Sequence, residues 1–360
     1  MWLLYHKTTS LYESLKALFL IGRKLLEKGL KFLQNVRIFG IIPMGMVSIS
    51  HLVPFSKIFF EMRGLRLVYE ILKVEQLAPR LLLMDVKAPR VAKYCEPGQF
   101  LIVRLDGKGE RIPLTICDYD REVGSITIVF QSAGASTEKM LDLKVGDFFH
   151  DFVGPLGRPA DYVNDDLEVV KKKKMLFVAG GVGAAPVYPQ VKWLHERGVA
   201  VDVIVGAKNA EMLILEEKMR EVAGNLYIAT DDGSVGHHGL VTDVIKKLVT
   251  EDGNHYDEVI AIGPMIMMKF VCLLTKELGL KTIVSMNSIM VDGTGMCGAC
   301  RLTVGDEVKF ACVDGPEFDG HLINFDEAMK RQQMYKDEEG KDMTKLKESH
   351  AGGCCAEVAK

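Results

Sequence analysis

A chain of 360 residues is long enough for two or three domains, each able to bury its own core. At 48% hydrophobic and 26% charged residues the composition is that of a globular protein, and a formal net charge of -3 gives no electrostatic reason to expect nucleic acid as a partner. Eight cysteines, unevenly placed, argue against a secreted disulfide framework.

Taken in chain order, residues 13 to 34 read as a basic amphipathic helix, and residues 38 to 60 as an apolar stretch broken by Pro43, His51, Pro54 and Lys57. A membrane-spanning helix needs roughly 20 residues with few or no charges, which this stretch does not offer. Regular patterning begins only after Met62. Residues 1–61 are therefore expected to be either an upstream misassigned start or a membrane-surface anchor, in an otherwise cytoplasmic chain.

From Leu65 to Phe152 short apolar runs alternate with turn signals: LRLVYEILKV, RLLLMDVKAP, QFLIVRLD, IPLTICDY and SITIVFQ. Alternation and β-branched residues favour strands, and their close spacing predicts a small antiparallel β-barrel over residues 62–158, with one short helix around Ser136–Leu143. Within it, Arg111-Ile112-Pro113-Leu114-Thr115 lies on a strand, and Gly134-Ala135-Ser136-Thr137 opens the helix. An arginine fork suits a pyrophosphate, and a glycine turn leading into a helix offers a second anion site. Each is ordinary by itself: an exposed strand arginine and a capped helix would look the same.

From Lys174 the rhythm becomes strand, glycine-rich turn, helix, repeated: MLFVAG, VDVIVGA, LYIAT, EVIAIG and TIVSM, with helical patterns between them. Such alternation predicts an α/β parallel-sheet domain over residues 170–286 with its ligand at the carboxyl ends of the strands. The first of those turns is Gly180-Gly181-Val182-Gly183-Ala184-Ala185-Pro186, where glycines admit a phosphate and the next helix presents free N–H groups. Thr230-Asp231-Asp232-Gly233-Ser234 and Gly263-Pro264-Met265 follow at equivalent strand ends. Either aspartate could accept ribose hydroxyls, though a solvated turn would also use them.

Residues 287–330 form a segment rich in glycine and cysteine. Asp292-Gly-Thr-Gly-Met-Cys297-Gly-Ala-Cys300, with Cys312 further on, matches the C-x4-C-x2-C plus distant cysteine of plant-type iron-sulfur loops, with aspartate in the first position. Asp292, Cys297, Cys300 and Cys312 are thus the expected metal ligands. A zinc knuckle is the competing reading, but only three cysteines lie here and His321 is the nearest imidazole downstream. The last part, 331–360, reads as a charged tail that carries Cys354 and Cys355.

The order of barrel, RxPLT, GxST, GPLG (Gly154 to Gly157), GGxGxAP and GPxxM resembles the ferredoxin-NADP reductase superfamily over roughly residues 65–285. The resemblance implies an FAD held by Arg111, Pro113, Leu114, Thr115, Gly134, Ser136 and Thr137, with the Thr115 hydroxyl near the reactive ring nitrogen. It also implies an NAD(P)H site at Gly181, Gly183, Pro186, Asp231, Asp232, Gly263 and Pro264. Ile262 departs from the cysteine that many relatives carry before the Gly-Pro.

The cysteine segment resembles the electron-transfer subunit of dihydroorotate dehydrogenase, whose motif has four cysteines. It is more similar to the group containing the small subunit of NADH-dependent ferredoxin:NADP oxidoreductase, also described as the beta subunit of archaeal sulfide dehydrogenase, where the first ligand is aspartate. That group implies a 2Fe-2S cluster and a larger flavin and iron-sulfur partner subunit through which ferredoxin is reached, in a reaction that in some members is bifurcating. Service to dihydroorotate oxidation and a non-catalytic zinc-containing nucleotide-binding module stand as alternatives.

Overall fold

The computed structural model describes residues 69–107 and 109–353. The expectations for residues 1–61 and for Cys354 and Cys355 therefore lie outside the described residues.

The first sheet is antiparallel throughout and contains β1 (Tyr69–Ala78), β2 (Leu81–Lys87), β3 (Phe100–Arg104), β4 (Ile112–Asp120), β5 (Ser125–Gln131), β6 (Phe148–Phe149) and β7 (Asp151–Leu156). Its order is β6-β1-β2-β5-β4-β3-β7, so the two edge strands are consecutive in sequence and the sheet curls into a near-closed barrel. Inward residues such as Ile71, Met84, Leu101, Ile126, Ile128 and Phe152 fill it, which is the alternation of a sheet with one buried face. A helix over Pro89–Tyr94 stands where the sequence suggested only strand and turn. Pro89 at its first turn presets the backbone, and Val91 and Ala92 bury against the barrel.

The second sheet contains β8 (Met175–Gly180), β9 (Asp202–Ala207), β10 (Asn225–Thr230), β11 (His237–His238), β12 (Glu258–Ile262) and β13 (Lys281–Ser285), all parallel. The sheet order, β11-β10-β9-β8-β12-β13 with β16 (Glu317–Asp319) at its edge, reverses direction at β8, and such a switch point leaves a crevice at the strand ends. Every residue of β8 is buried, as expected of a strand covered on both faces. The α-helix after β9 begins at Glu216, where Leu215 adopts φ 57° and turns the chain.

The cysteine-bearing segment is joined to this sheet. After a hairpin of β14 (Arg301–Val304) and β15 (Glu307–Phe310), β16 (Glu317–Asp319) pairs antiparallel with β13, Val284 opposite Phe318. The helix Phe325–Gln332 follows, then a second helix, Lys336–Gly353, within the segment read as a charged tail. Asp337, Glu338 and Glu339 in its first turn complement the helix dipole.

Candidate functional site

A cavity of about 1460 Å³ lies between the barrel and the parallel sheet. Pro113, Leu114 and Thr115 of β4 line its barrel side, together with Val129 to Gln131 of β5, Ala133 and Thr137. β4 is held there by β3, with Leu114 opposite Leu101 and Thr115 opposite Phe100. The Thr137 hydroxyl oxygen accepts from the Ala133 and Gly134 amides at 2.9 and 3.0 Å, fixing the turn that enters the helix Ala135–Met140. Gly134 and Ser136 do not line the cavity; the Ser136 hydroxyl donates to the Glu110 carboxylate instead.

The opposite wall is built from the carboxyl ends of the parallel strands. Gly180 to Gly183 leave β8 as a single tight turn, and the helix Ala184–His195 begins directly behind it. A side chain at Gly183 would place its Cβ 2.2 Å from the Ile262 carbonyl oxygen, so the turn lies directly against the Ile262-Gly263 backbone. Glycine there serves close packing between turns as well as any approach of a phosphate. Gly181, Gly183, Pro186, Asp231, Gly263 and Pro264 all face the cavity. Asp232 does not: its Oδ1 accepts from the Ser234 amide at 2.9 Å, and the Ser234 hydrogen bonds hold its carboxyl below the usual range. It plays the part of a turn residue.

Several lining residues carry no sequence signal of that role. Lys208, after β9, and Lys246, at the end of the helix Val241–Lys246, bring cationic side chains into the cavity, which suits phosphates. Lys208 follows a strand with no motif of its own, and Lys246 reads as a surface helix charge. Met286 to Ser288 and Met290 also line it, on the stretch leading to the cysteine loop.

On that loop the four expected ligands share one neighbourhood. Cys300 and Cys312 are buried, and the Cys312 amide donates to the Cys300 sulfur at 3.4 Å. Burial and the Cys300 hydrogen bond push the Cys312 thiol up to about 12. Cys297 is exposed, and the Ala299 amide, with those of Asp292 and Val291, holds its thiol below the usual value. Asp292 Oδ2 accepts from the Thr294 hydroxyl and from the Thr294 and Met296 amides at 3.0 and 3.3 Å. No three His, Cys, Asp or Glu side chains among the described residues close around a single ion.

Three free thiols and one carboxylate on a loop with positive φ at Gly293, Gly295 and Gly298 nevertheless fit an iron-sulfur cluster, which takes sulfur donors and amide hydrogen bonds. The helix Phe325–Gln332 braces this loop, Arg331 donating to the Ala299 carbonyl at 3.1 Å and Gln332 to the Asn287 carbonyl at 3.1 Å. His321, the imidazole a zinc site would recruit, is hydrogen-bonded to Thr275 at 3.1 Å.

Arg111 is the largest departure in the site. Expected at a pyrophosphate, it does not line the cavity and instead donates to the Val291 carbonyl at 2.7 Å, within the cysteine loop.

The pattern of the iron-sulfur cluster binding domain of dihydroorotate dehydrogenase B matches residues 287–324. A Clostridium beijerinckii protein described as "uncharacterized protein in adh 3'region" is 59% identical over 290 residues, 80% of this chain and 98% of its own length. A Thermotoga maritima homologue of the dihydroorotate dehydrogenase B (NAD(+)) electron transfer subunit is 43% identical over 270 residues, 75% of this chain and 92% of its own. A solved structure of an NADH-dependent reduced ferredoxin-NADP oxidoreductase, studied for flavin-based electron bifurcation, superimposes with a TM-score of 0.71 at 40% identity, over 79% of this chain and 99% of that one.

Proposed function

The chain belongs to the family of dihydroorotate dehydrogenase B electron-transfer subunits and their homologues, and on that premise we propose that it passes electrons between NAD(P)H, FAD and a 2Fe-2S cluster. The observation that carries this reading is the shared cavity. Pro113 to Thr115 and Gly181 to Pro186 face one another across it, while the cysteine loop continues directly from its rim at Met290. A flavin, when bound, converts the hydride of a nicotinamide into the single electrons a cluster takes.

In this reading β4 would hold the flavin, with the Thr115 hydroxyl available to its ring. The glycine turns, Lys208 and Lys246 bind the dinucleotide phosphates, and Asp231 accepts a ribose hydroxyl. Asp292, Cys297, Cys300 and Cys312 hold the cluster. The relatives named as electron transfer subunits imply a companion protein. That companion is a larger flavin and iron-sulfur subunit, and through it the chain takes part in ferredoxin-linked NADP reduction, in the bifurcating manner of the solved relative. No helix among the described residues is long and apolar enough to cross a membrane, and the proposed location is cytoplasmic.

The absorption spectrum of the purified protein, followed during anaerobic titration with NADH and NADPH, tests this. Flavin and iron-sulfur bands that bleach on addition support it, and a colourless protein ends it. A second reading, service to dihydroorotate oxidation, is favoured by the name of the Thermotoga maritima relative and opposed by aspartate at position 292. Dihydroorotate-dependent NAD reduction by the complex purified through this chain would select it, and ferredoxin-coupled NADP reduction would select the first.

A further inference from the structure

We propose that Arg111 is a positioning residue that straps the cysteine loop to the start of the strand carrying Thr115, so that loop and strand keep one fixed spacing. This rests on the reading of residues 287–324 as the iron-sulfur segment. Three observations carry it.

First, Arg111 Nε donates to the Val291 carbonyl at 2.7 Å and Nη2 to the Asp292 carbonyl at 3.4 Å, joining positions 180 and 181 residues apart in sequence. Arg111 immediately precedes β4, and its acceptors include the residue at the first position of the cysteine motif. Second, the loop is pressed onto the barrel at the next residue. Gly293 has φ 81°, and the space a Cβ would need is taken by Ile102 Cδ1 at 2.6 Å and Leu156 Cδ1 at 2.9 Å, from strands β3 and β7. The strap therefore closes over an existing contact.

Third, the guanidinium is itself located. Asp151 Oδ2 lies 2.7 Å from Arg104 Nη2 and 3.9 Å from Arg111 Nη1, so one carboxylate steadies both arginines. A planar fork can serve two adjacent carbonyls and a carboxylate together, and the point charge of a lysine cannot reproduce its Nε donor. The fixed cation also stands beside the donors that would ligate the cluster, where it favours an added electron.

The test uses the cofactor-loaded protein with Arg111→Lys and Arg111→Gln. Amide hydrogen exchange over residues 291–299 should quicken by roughly tenfold or more in both variants, the effect of losing one charge-assisted hydrogen bond. The midpoint potential of the cluster should stay near the wild-type value in Arg111→Lys, which keeps the charge, and move negative in Arg111→Gln. Unchanged loop exchange and potential, with FAD content falling in both variants, would overturn the proposal and return Arg111 to the pyrophosphate. If Arg111→Gln does not fold, loop exchange in Arg111→Lys decides the matter by itself. A dithionite-reduced wild-type protein with no cluster EPR signal would sink the iron-sulfur reading itself, an outcome distinct from failure of the strap.

Discussion

Lys192 Nζ lies 2.8 Å from Asp118 Oδ1, and this pair ties the helix behind the glycine turn to the far end of the strand that bears Thr115. The two walls of the cavity are thereby fixed to each other by a polar contact whose partners are both partly buried. Lys192→Met should cost about 1–2 kcal/mol, because it leaves the Asp118 carboxylate, 18% exposed, without its cation. Urea denaturation measures this. A midpoint that does not move would mean the walls are held by apolar packing alone.

Glu317 should make stability depend on pH. Burial, with the Asp161 and Glu258 charges, raises its carboxyl to about 7 against the opposing hydrogen bond from Gln190, which donates at 2.7 Å. A carboxyl whose folded value exceeds its unfolded 4.5 contributes stability that is fully present below pH 4.5 and is lost as pH rises to about 7. Glu317→Gln should therefore flatten that slope and be more stable than wild type at pH 8, by about 3 kcal/mol at most. Thermal melts across pH 4 to 8 read it out, and parallel curves for the two proteins would refute it.

At Asp292 the turn and the ligand roles separate in Asp292→Asn. An amide oxygen can still accept from Thr294 and Met296 and keep the loop shape, but it supplies no anionic donor. The variant should fold with wild-type stability while its iron content falls or its EPR signal shifts. Wild-type iron and EPR would assign Asp292 to the turn alone.

Thr115→Val preserves shape and removes a hydroxyl. FAD content should be retained, and reduction of the flavin by NADH should slow by about tenfold to a hundredfold, as for one lost hydrogen-bond donor at a reacting centre. Rapid mixing with single-turnover detection would show it. An unchanged rate would leave Thr115 as a wall residue.

The parts of the site that sequence made visible are those whose chemistry is local. The spacing of Cys297, Cys300 and Cys312 and the glycines around Gly183 are constraints written into a few consecutive residues. The buried run of β8 was equally plain, since a strand covered on both faces has no polar side to confuse its period. What was hidden depends on distant partners. Arg111 bonds to carbonyls 180 and 181 residues away, and backbone oxygens carry no residue-type signature. Whether Asp231 or Asp232 faced the cavity was undecidable from identical side chains, until the Ser234 amide claimed the second. The three residues of β16 are too few to show alternation, and only the exposed edge of β13 makes them a strand.

That short strand has a consequence for how such a protein can change over evolutionary time. The cysteine-bearing stretch is the covering of one border of the nucleotide-binding sheet, with Ser285 opposite Glu317 and Ile283 opposite Asp319. A descendant truncated after Ser285 would lose its redox centre and at the same time uncover a row of unpaired amides and carbonyls along β13, an invitation to stick to its own copies. Wholesale loss of the segment would be selected against through aggregation even where its electrons are no longer needed.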